Sequence, residues 1–540
     1  MHRRRFALCL ALFALASAKA WAEADDLLAP DRSIEDVVDH YVEAKLAREG
    51  VAAGPLADPA TLVRRITLDL VGRPPTVHES QRFIASTSEQ RRAELLDRLF
   101  AAPGFVRHQA NEFDHLLMGG GESIRDYLLQ AFGEGRRWDQ IFRELLLGRG
   151  DDQQQTGALR FVTTRVADLD KLTNQTSVVF FGVNISCAKC HDHPHVSEWT
   201  QDHFYGMKSF FSRTFDNGGL LGERAYGLVK FKTTAGESRQ ASLMFLSGTV
   251  LEEPDSKEPS NDEKKAEKAR LDELKKKKQP PPVPGFSRRT QLVEVALRTN
   301  ENNYFAKAIV NKIWYRLLGV GLVVPIDQMH PENPPSHPQL LAWLARDLVT
   351  HQYDLNRLIR GLQMSRTYAR SSRYTAPARP PARLFAVAPL RPLSRYQYAT
   401  TLRIGSLNPD RFVVSDNPAE VEKYIESQEN AARDFAGLIE QPYAGFQIGV
   451  TEALLMNNAV RVEKEFLNDA ADSMVGKLKG IDNSREIVET AVWTVLNRPP
   501  DEAEIESLVE YLARRADRKL ESCRQLVWAL LTSSECRFNY

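Results

Sequence analysis

The residues with the most specific chemical spacing in this sequence are two cysteines three positions apart and the histidine that follows them. They form the run Cys187-Ala188-Lys189-Cys190-His191. In a covalent c-type haem site, each thiol forms a thioether to one vinyl group of the porphyrin, and the adjacent imidazole binds the iron axially. The spacing therefore predicts haem c bound through Cys187, Cys190 and His191.

A bound metal ion is a second interpretation, because more side chains that bind metals follow the motif. His193, His195 and His203 can join the two thiols in a tetrahedral zinc or iron site. Asp192 can orient a ligating imidazole as an outer partner. If haem is attached instead, His195, His203 or Met207 can supply the sixth ligand of the iron, and the spacing does not select among them.

A cysteine pair without any cofactor is the third interpretation. Cys187 and Cys190 would then form a dithiol or a disulfide. Exchange-active pairs of this kind normally open a helix in a thioredoxin-like βαβ unit, and the flanking sequence lacks that pattern. All three interpretations remain open on the residues alone.

The N-terminal 22 residues are predicted to be a cleaved export signal. Three arginines, Arg3 to Arg5, precede a short apolar run from Phe6 to Ala16, and a small-x-small cleavage pattern ends at Ala22. The apolar run is too short for a comfortable membrane span, so none is expected after removal of the signal. We therefore expect an exported protein, periplasmic or at the cell surface.

The remaining cysteines, Cys523 and Cys536, are predicted to be buried free thiols. One continuous helix would hold their Cα atoms about 20 Å apart, whereas a disulfide requires less than about 7 Å.

Composition and charge narrow the function classes. The 71 basic residues balance the 71 acidic residues, so no general attraction to nucleic acid is expected. The chain contains no Gly-x-Ser-x-Gly elbow, phosphate loop or dinucleotide fingerprint, which argues against the common hydrolases, kinases and dehydrogenases. No reaction is assigned, and whether the protein is an enzyme stays open.

The elements that must position the motif are predicted to be mainly helical. Apolar periodicity and caps such as Asp58-Pro59 predict helices through most of the chain. Alternating segments on both sides of Thr233 to Gly236 predict a small hairpin or sheet. The predicted fold class is mainly α, with two helical domains and a small β-hairpin or sheet insertion before a charged, Pro-rich linker.

The same patterns give domain boundaries. We predict the signal peptide at 1–22, a helical domain with the cysteine motif at 30–215, a small β region at 216–251, a linker at 252–285 and a second helical domain at 286–540. The linker is dense in Glu, Asp and Lys and ends in prolines, so it cannot bury enough apolar surface to fold alone.

One short sequence motif, which we call the Arg-Pro-Pro device, occurs twice in the chain. The run Arg73-Pro74-Pro75-Thr76-x-x-Glu79 returns as Arg498-Pro499-Pro500-Asp501-x-x-Glu504. We interpret both runs as the same helix–turn–helix solution.

Several segments together resemble a known family. They are Asp58 to Thr76, Phe180 to Pro194, Asn311 to Trp314, Pro334 to Leu344 and Ser365 to Tyr368. They resemble a planctomycete-type family with paired domains of unknown function, numbered 1549 and 1553, of which the first is also described as cytochrome-c-like. The resemblance implies export and a haem site, with no established reaction. The chain departs from the family after His193, where the Phe-Asp-Pro type of run is replaced by Pro194-His195.

The sequence thus supports one main hypothesis and one alternative. The main hypothesis is an exported protein with haem c, or with zinc or iron, that serves electron transfer or redox support of an extracytoplasmic process with an unidentified redox or surface partner. The alternative is a non-haem surface scaffold, stapled by zinc or a disulfide, that binds a protein or polymer.

Overall fold

The computed structural model describes residues 27–148, 150, 152, 155, 157–194, 196–255, 258–298, 303–375, 378–412, 418–442 and 449–540. The predicted signal at 1–22 and the candidate ligand His195 lie outside the described residues.

Helices dominate the described chain, which confirms the predicted fold class. The helices up to the β region are α1 (Ile34–Glu49), α2 (Pro59–Val71), α3 (Val77–Ala85), α4 (Arg91–Ala101), α5 (Pro103–Met118), α6 (Arg125–Gly133), α7 (Trp138–Leu147), α8 (Arg160–Thr163), α9 (Leu169–Phe181) and α10 (Gln201–Ser209). Those that follow it are α11 (Asn261–Lys276), α12 (Arg288–Ala296), α13 (Tyr304–Leu318), α14 (Pro338–Thr350), α15 (Leu355–Met364), α16 (Arg395–Gly405), α17 (Pro418–Ala436), α18 (Val450–Asn458), α19 (Val460–Phe466), α20 (Met474–Lys479), α21 (Ser484–Leu496), α22 (Glu502–Ala513), α23 (Lys519–Leu531) and α24 (Ser534–Arg537).

The strands are short and form two-stranded antiparallel pairs. They are β1 (Thr214–Asp216), β2 (Leu221–Glu223), β3 (Lys230–Lys232), β4 (Ser238–Gln240), β5 (Leu243–Met244), β6 (Val250–Leu251), β7 (Arg391–Pro392) and β8 (Phe538–Asn539). Strands β1 to β6 pair as three successive hairpins, which is the predicted β insertion, and β7 pairs with β8.

Two compact units divide the chain, and neither is continuous in sequence. Of the described residues, unit 1 contains those within 27–51, 109–365 and 383–385, and unit 2 contains those within 52–108, 366–382 and 386–540. Within the part of the chain that the structure describes, no helix has the length and apolar character needed to cross a bilayer.

Unit 1, which carries the cysteine motif, has an aromatic core. The Phe142 ring lies 4.7 Å from Phe180 on α9 and 4.6 Å from Phe305 on α13, measured between ring centroids. Trp138 on α7 packs against the same two rings and is 1% exposed. Large rings at these separations contribute dispersion and area burial, so they fix α9 against α13 directly before the motif.

The charged segment between the β region and the second half contains α11. Ser260 caps this helix, Glu263 completes a reciprocal capping box, and no residue of the helix is buried. The sequence predicted a charged linker there without a helix. Its Ala, Glu, Lys, Arg and Leu residues have high helix propensity, which together with the cap stabilises the helix locally without a core.

The repeated Arg-Pro-Pro device forms the same structure twice, both times inside unit 2. The helices α2 and α21 end on left-handed residues, Gly72 at φ 71° and Asn497 at φ 62°. The next helices, α3 and α22, begin with capping boxes on Thr76 and Asp501. Local caps and turns therefore determine both copies, as the sequence predicted.

The two C-terminal cysteines are free and buried, as predicted. The helix that carries Cys523 ends at Leu531, and Ser533 caps a new short helix that carries Cys536. Both thiols therefore belong to the apolar core of unit 2.

Candidate functional site

Helix α9 leads directly into the cysteine motif. It begins with the Asp168 side chain accepting hydrogen bonds from the backbone of Asp170 and Lys171, and it ends at Gly182 with φ 66°. A Cβ on Gly182 would lie 3.4 Å from the Cβ of Ala308 on α13. The left-handed turn and this close approach both favour glycine, so the chain leaves α9 in a fixed direction.

The residues just before the motif are paired with a second segment of unit 1. The backbone N–H of Asn184 donates to the carbonyl of Asp327 at 2.8 Å, and the N–H of Met329 donates to Gly182 at 2.9 Å. Val183 forms an antiparallel bridge with Gln328 between these bonds. The backbone that delivers the cysteines is therefore held on a strand-like support.

The motif itself is a short exposed turn. The Asn184 side chain accepts hydrogen bonds from the backbone N–H and the hydroxyl of Ser186, at 3.2 and 2.7 Å. A 3-10 turn follows at Ser186–Lys189, with Ala188 fully buried as its inward anchor. Cys187 and Cys190 are exposed and free. The turn therefore presents both thiols to solvent.

The exposed His191 ring has a defined tautomer. Its Nδ1 lies 2.7 Å from the backbone carbonyl oxygen of Asp192. A carbonyl oxygen can only accept, so Nδ1 is the donor, and Nε2 is the nitrogen that holds the lone pair when the ring is neutral. This is the arrangement that a metal-binding imidazole requires. Asp192 therefore contacts His191 through its main chain, whereas the sequence had nominated Asp192 as an outer partner without specifying an atom.

Side chains of helix α10 form hydrogen bonds with the middle of the motif. The Tyr205 hydroxyl and the Gln201 amide both donate to the backbone carbonyl of Lys189 at 3.3 Å. The Lys189 ammonium pairs with the Asp170 carboxylate at 2.8 Å, and Lys208 pairs with the same carboxylate at 2.6 Å. Burial alone would raise the pKa of Asp170, but the hydrogen bonds from the two lysines outweigh it and lower that pKa.

The histidine nearest the motif faces the interior. His193 is 5% exposed, and its ring centroid lies 5.4 Å from that of Trp199 and 5.9 Å from that of His330. Its backbone N–H donates to the carbonyl of Trp199 at 2.8 Å. His193 therefore packs with two other rings beneath the loop that follows the motif.

The other candidate ligands lie along α10. His203 is half-buried beside the β5–β6 turn at Gly248, and burial lowers its pKa. Met207 is fully buried. Among the residues that the structure describes, no three His, Cys, Asp or Glu side chains are grouped so that they could hold a metal ion.

Three residues support the site without being among the ligands predicted above. Asn311 and Lys312 on α13 contact segments that lead into the motif, and His330 packs against His193. All three are buried polar side chains far from the cysteines in sequence. A polar pair on an otherwise apolar helix was the available signal, because buried polar groups require partners.

Two family models match separate segments of the chain. Residues 37–216 match the family model PSCyt2, described as a protein of unknown function numbered DUF1549. Residues 288–433 match PSD1, described as a protein of unknown function numbered DUF1553. The search of curated proteins and the search of solved structures each found no match. The motif thus lies in the first matched segment, and Asn311, Lys312 and His330 lie in the second.

Proposed function

We propose that this chain, which belongs to the protein family that pairs the domains of unknown function 1549 and 1553, carries haem c at Cys187, Cys190 and His191. The attached haem would supply a one-electron redox centre. The protein would transfer electrons, or support a neighbouring redox process, outside the cytoplasm.

The observation that carries this proposal is the state of the His191 ring. Its Nδ1 proton is committed to a backbone carbonyl at 2.7 Å, which leaves Nε2 available in the solvent-exposed turn. The two thiols on the same turn are exposed and unpaired, so both are accessible to a porphyrin edge. The residues present therefore fit the chemistry of haem attachment.

Haem suits the arrangement better than a single ion. Thioethers form at the edge of the porphyrin, so haem attachment does not require Cys187, Cys190 and His191 to converge on one point. A tetrahedral zinc or iron site needs four donors around one ion. The inward orientation of His193 supports the proposal, because this candidate donor for a metal ion packs against Trp199 and His330 instead of facing the thiols.

Export would explain why the thiols need such a modification. An exposed cysteine pair in an oxidising compartment is prone to disulfide formation. Conversion of both sulfurs to thioethers removes that reaction. The arginine-rich and apolar start of the sequence supports the same compartment.

The decisive experiment is expression in a host with haem-attachment machinery, followed by an absorption spectrum and acid–acetone extraction. We expect a Soret band that stays with the polypeptide, and its loss in the double variant Cys187→Ser, Cys190→Ser. His191→Ala should retain attached haem with an altered axial-ligand spectrum, whereas His193→Gln is the matched control that should retain the normal spectrum. A wild-type protein with no covalent haem and one equivalent of zinc would refute the proposal.

A further inference from the structure

The backbone that delivers the cysteines rests on residues 311–330 of unit 1. We propose that Asn311 and Lys312 are positioning residues for the cysteine motif. The segment matched by the second family model, which contains both residues, would then support the haem-attachment site. This inference deepens the proposed function and rests on it for the identity of the attached group.

Lys312 acts on the end of helix α9. Its ammonium donates to the carbonyl of Val178 at 3.0 Å, and the residue is 7% exposed. Val178 is one of the last four residues of the helix, whose carbonyls have no regular intrahelical partners. A cation there is favoured by the helix dipole. Burial lowers the pKa of Lys312 to about 8, and the Asp327 carboxylate opposes that shift.

Asn311 holds the segment that faces the motif. Its amide nitrogen donates to the carbonyl of Val323, and its amide oxygen accepts from the N–H of Val323, both at 3.0 Å. A Cβ on Gly321 would lie 3.1 Å from that amide oxygen and 2.5 Å from the Val323 carbonyl. Glycine at 321 therefore lets the chain fold closely over the fully buried asparagine.

The two contacts converge on the same stretch of backbone. The segment that Asn311 fixes continues to Asp327 and Met329, which bind Asn184 and Gly182. Lys312 fixes the helix that reaches Gly182 from the other side. Two neighbouring side chains of α13 thus hold the backbone just before the cysteines: Lys312 binds the end of α9, and Asn311 binds the segment that pairs with residues 182–184. We call this pair of contacts the clamp.

The fold offers a direct test with matched variants. Lys312→Met keeps the length of the side chain but removes the donor to Val178, and Lys312→Arg restores a donor. Ile313→Val is the control, because it trims a core side chain of the same helix that has no role in this clamp. Peptide-resolved amide exchange across residues 182–193 measures the order of the motif with or without haem. Iodoacetamide labelling of the two motif thiols measures it in haem-free protein, where both sulfurs are thiols.

We expect Lys312→Met to exchange about fivefold faster across residues 182–193, the effect of losing one hydrogen bond, and to bind less haem per chain. Lys312→Arg should recover part of the protection, and Ile313→Val should show no selective change there. Equal protection in Lys312→Met and wild type would overturn the inference. If Lys312→Met fails to fold, Asn311→Ser decides by the same criterion. Faster exchange in the variant, with no haem in the wild type, would support the clamp and refute the haem proposal.

Discussion

The two Arg-Pro-Pro devices of unit 2 allow a matched test of a buried ion pair. In the first copy Arg73 binds both oxygens of Glu79, at 2.8 and 3.0 Å, and the Arg73 side chain is 6% exposed. In the second copy Arg498 binds Glu504 twice at 2.7 Å and also binds Glu535. The two variants to compare are Glu79→Gln and Glu504→Gln.

The two variants should lose different amounts of folding free energy, because Arg498 still binds the Glu535 carboxylate after its partner is replaced, whereas Arg73 loses the carboxylate that it binds. Burial raises the pKa of Glu79, but Arg73 outweighs it and lowers the pKa from 4.5 to about 2. A shift of that size corresponds to about 3 kcal/mol of folding free energy, and removing one partner of a buried pair costs about 3 to 5 kcal/mol. Arg498 is more exposed and retains Glu535. We therefore expect a loss of about 3 kcal/mol for Glu79→Gln and about 1 kcal/mol for Glu504→Gln.

The pH dependence provides a second, independent check. The folded pKa of Glu79 lies below the unfolded value, so its contribution is complete above pH 4.5 and is lost as the pH falls towards about 2. The assay is amide exchange resolved over α2 and α21, with and without urea, at pH 7 and at lower pH. Equal losses in the two variants, or a Glu79→Gln protein with the same acid sensitivity as wild type, would refute the reasoning.

Three further predictions concern other parts of the chain. Gly182→Ala should cost about 1 to 2 kcal/mol, because alanine at a left-handed φ is strained, and haem content per chain measures its effect on the motif. Haem-free protein, made in a host without attachment machinery, should alkylate rapidly at the motif thiols but not at Cys523 or Cys536, which mass spectrometry can show. Cys523 and Cys536 are both fully buried, and burial raises the pKa of Cys536 to about 11. Glu223→Gln should destabilise α12 by about 1 to 3 kcal/mol, seen as faster amide exchange. One carboxylate oxygen accepts from the Ser287 hydroxyl at 2.6 Å and the other accepts from the Arg288 backbone N–H, whereas an amide has only one acceptor oxygen. An unchanged exchange rate would contradict this prediction.

Local chemistry made much of the fold predictable. Asp58 and Pro59 start α2 and Gly72 ends it, as their side chains and backbone preferences dictate over a few residues. The exposed helix α11 was not predicted, because the charged composition of this segment was taken as evidence that it cannot form a core. The Ser260 capping box and the helix propensities of its residues stabilise the helix without a core. Composition predicts burial better than it predicts local helix formation.

The candidate site was only partly predictable. The spacing of Cys187 and Cys190 is the basis of the proposed haem chemistry, but the inward packing of His193 involves His330, a residue distant in sequence. The contact from Lys312 to Val178 likewise joins two helices whose packing no local pattern specifies. Tertiary contacts of this kind decide which of several nearby donors remain available to a cofactor.

The discontinuous makeup of the two units has a consequence for dissecting this protein. The segment 37–216 matched by the first family model and the segment 288–433 matched by the second each contain parts of both units. A fragment cut at 37–216 would contain residues 52–108 without the 386–540 segment that completes their unit, and a fragment cut at 288–433 would lack residues 52–108 and 434–540 of the same unit. Such fragments would expose core surfaces and aggregate. During synthesis, the helices within residues 52–108 cannot bury their apolar side chains in the core of unit 2 until residues 386–540 have been made.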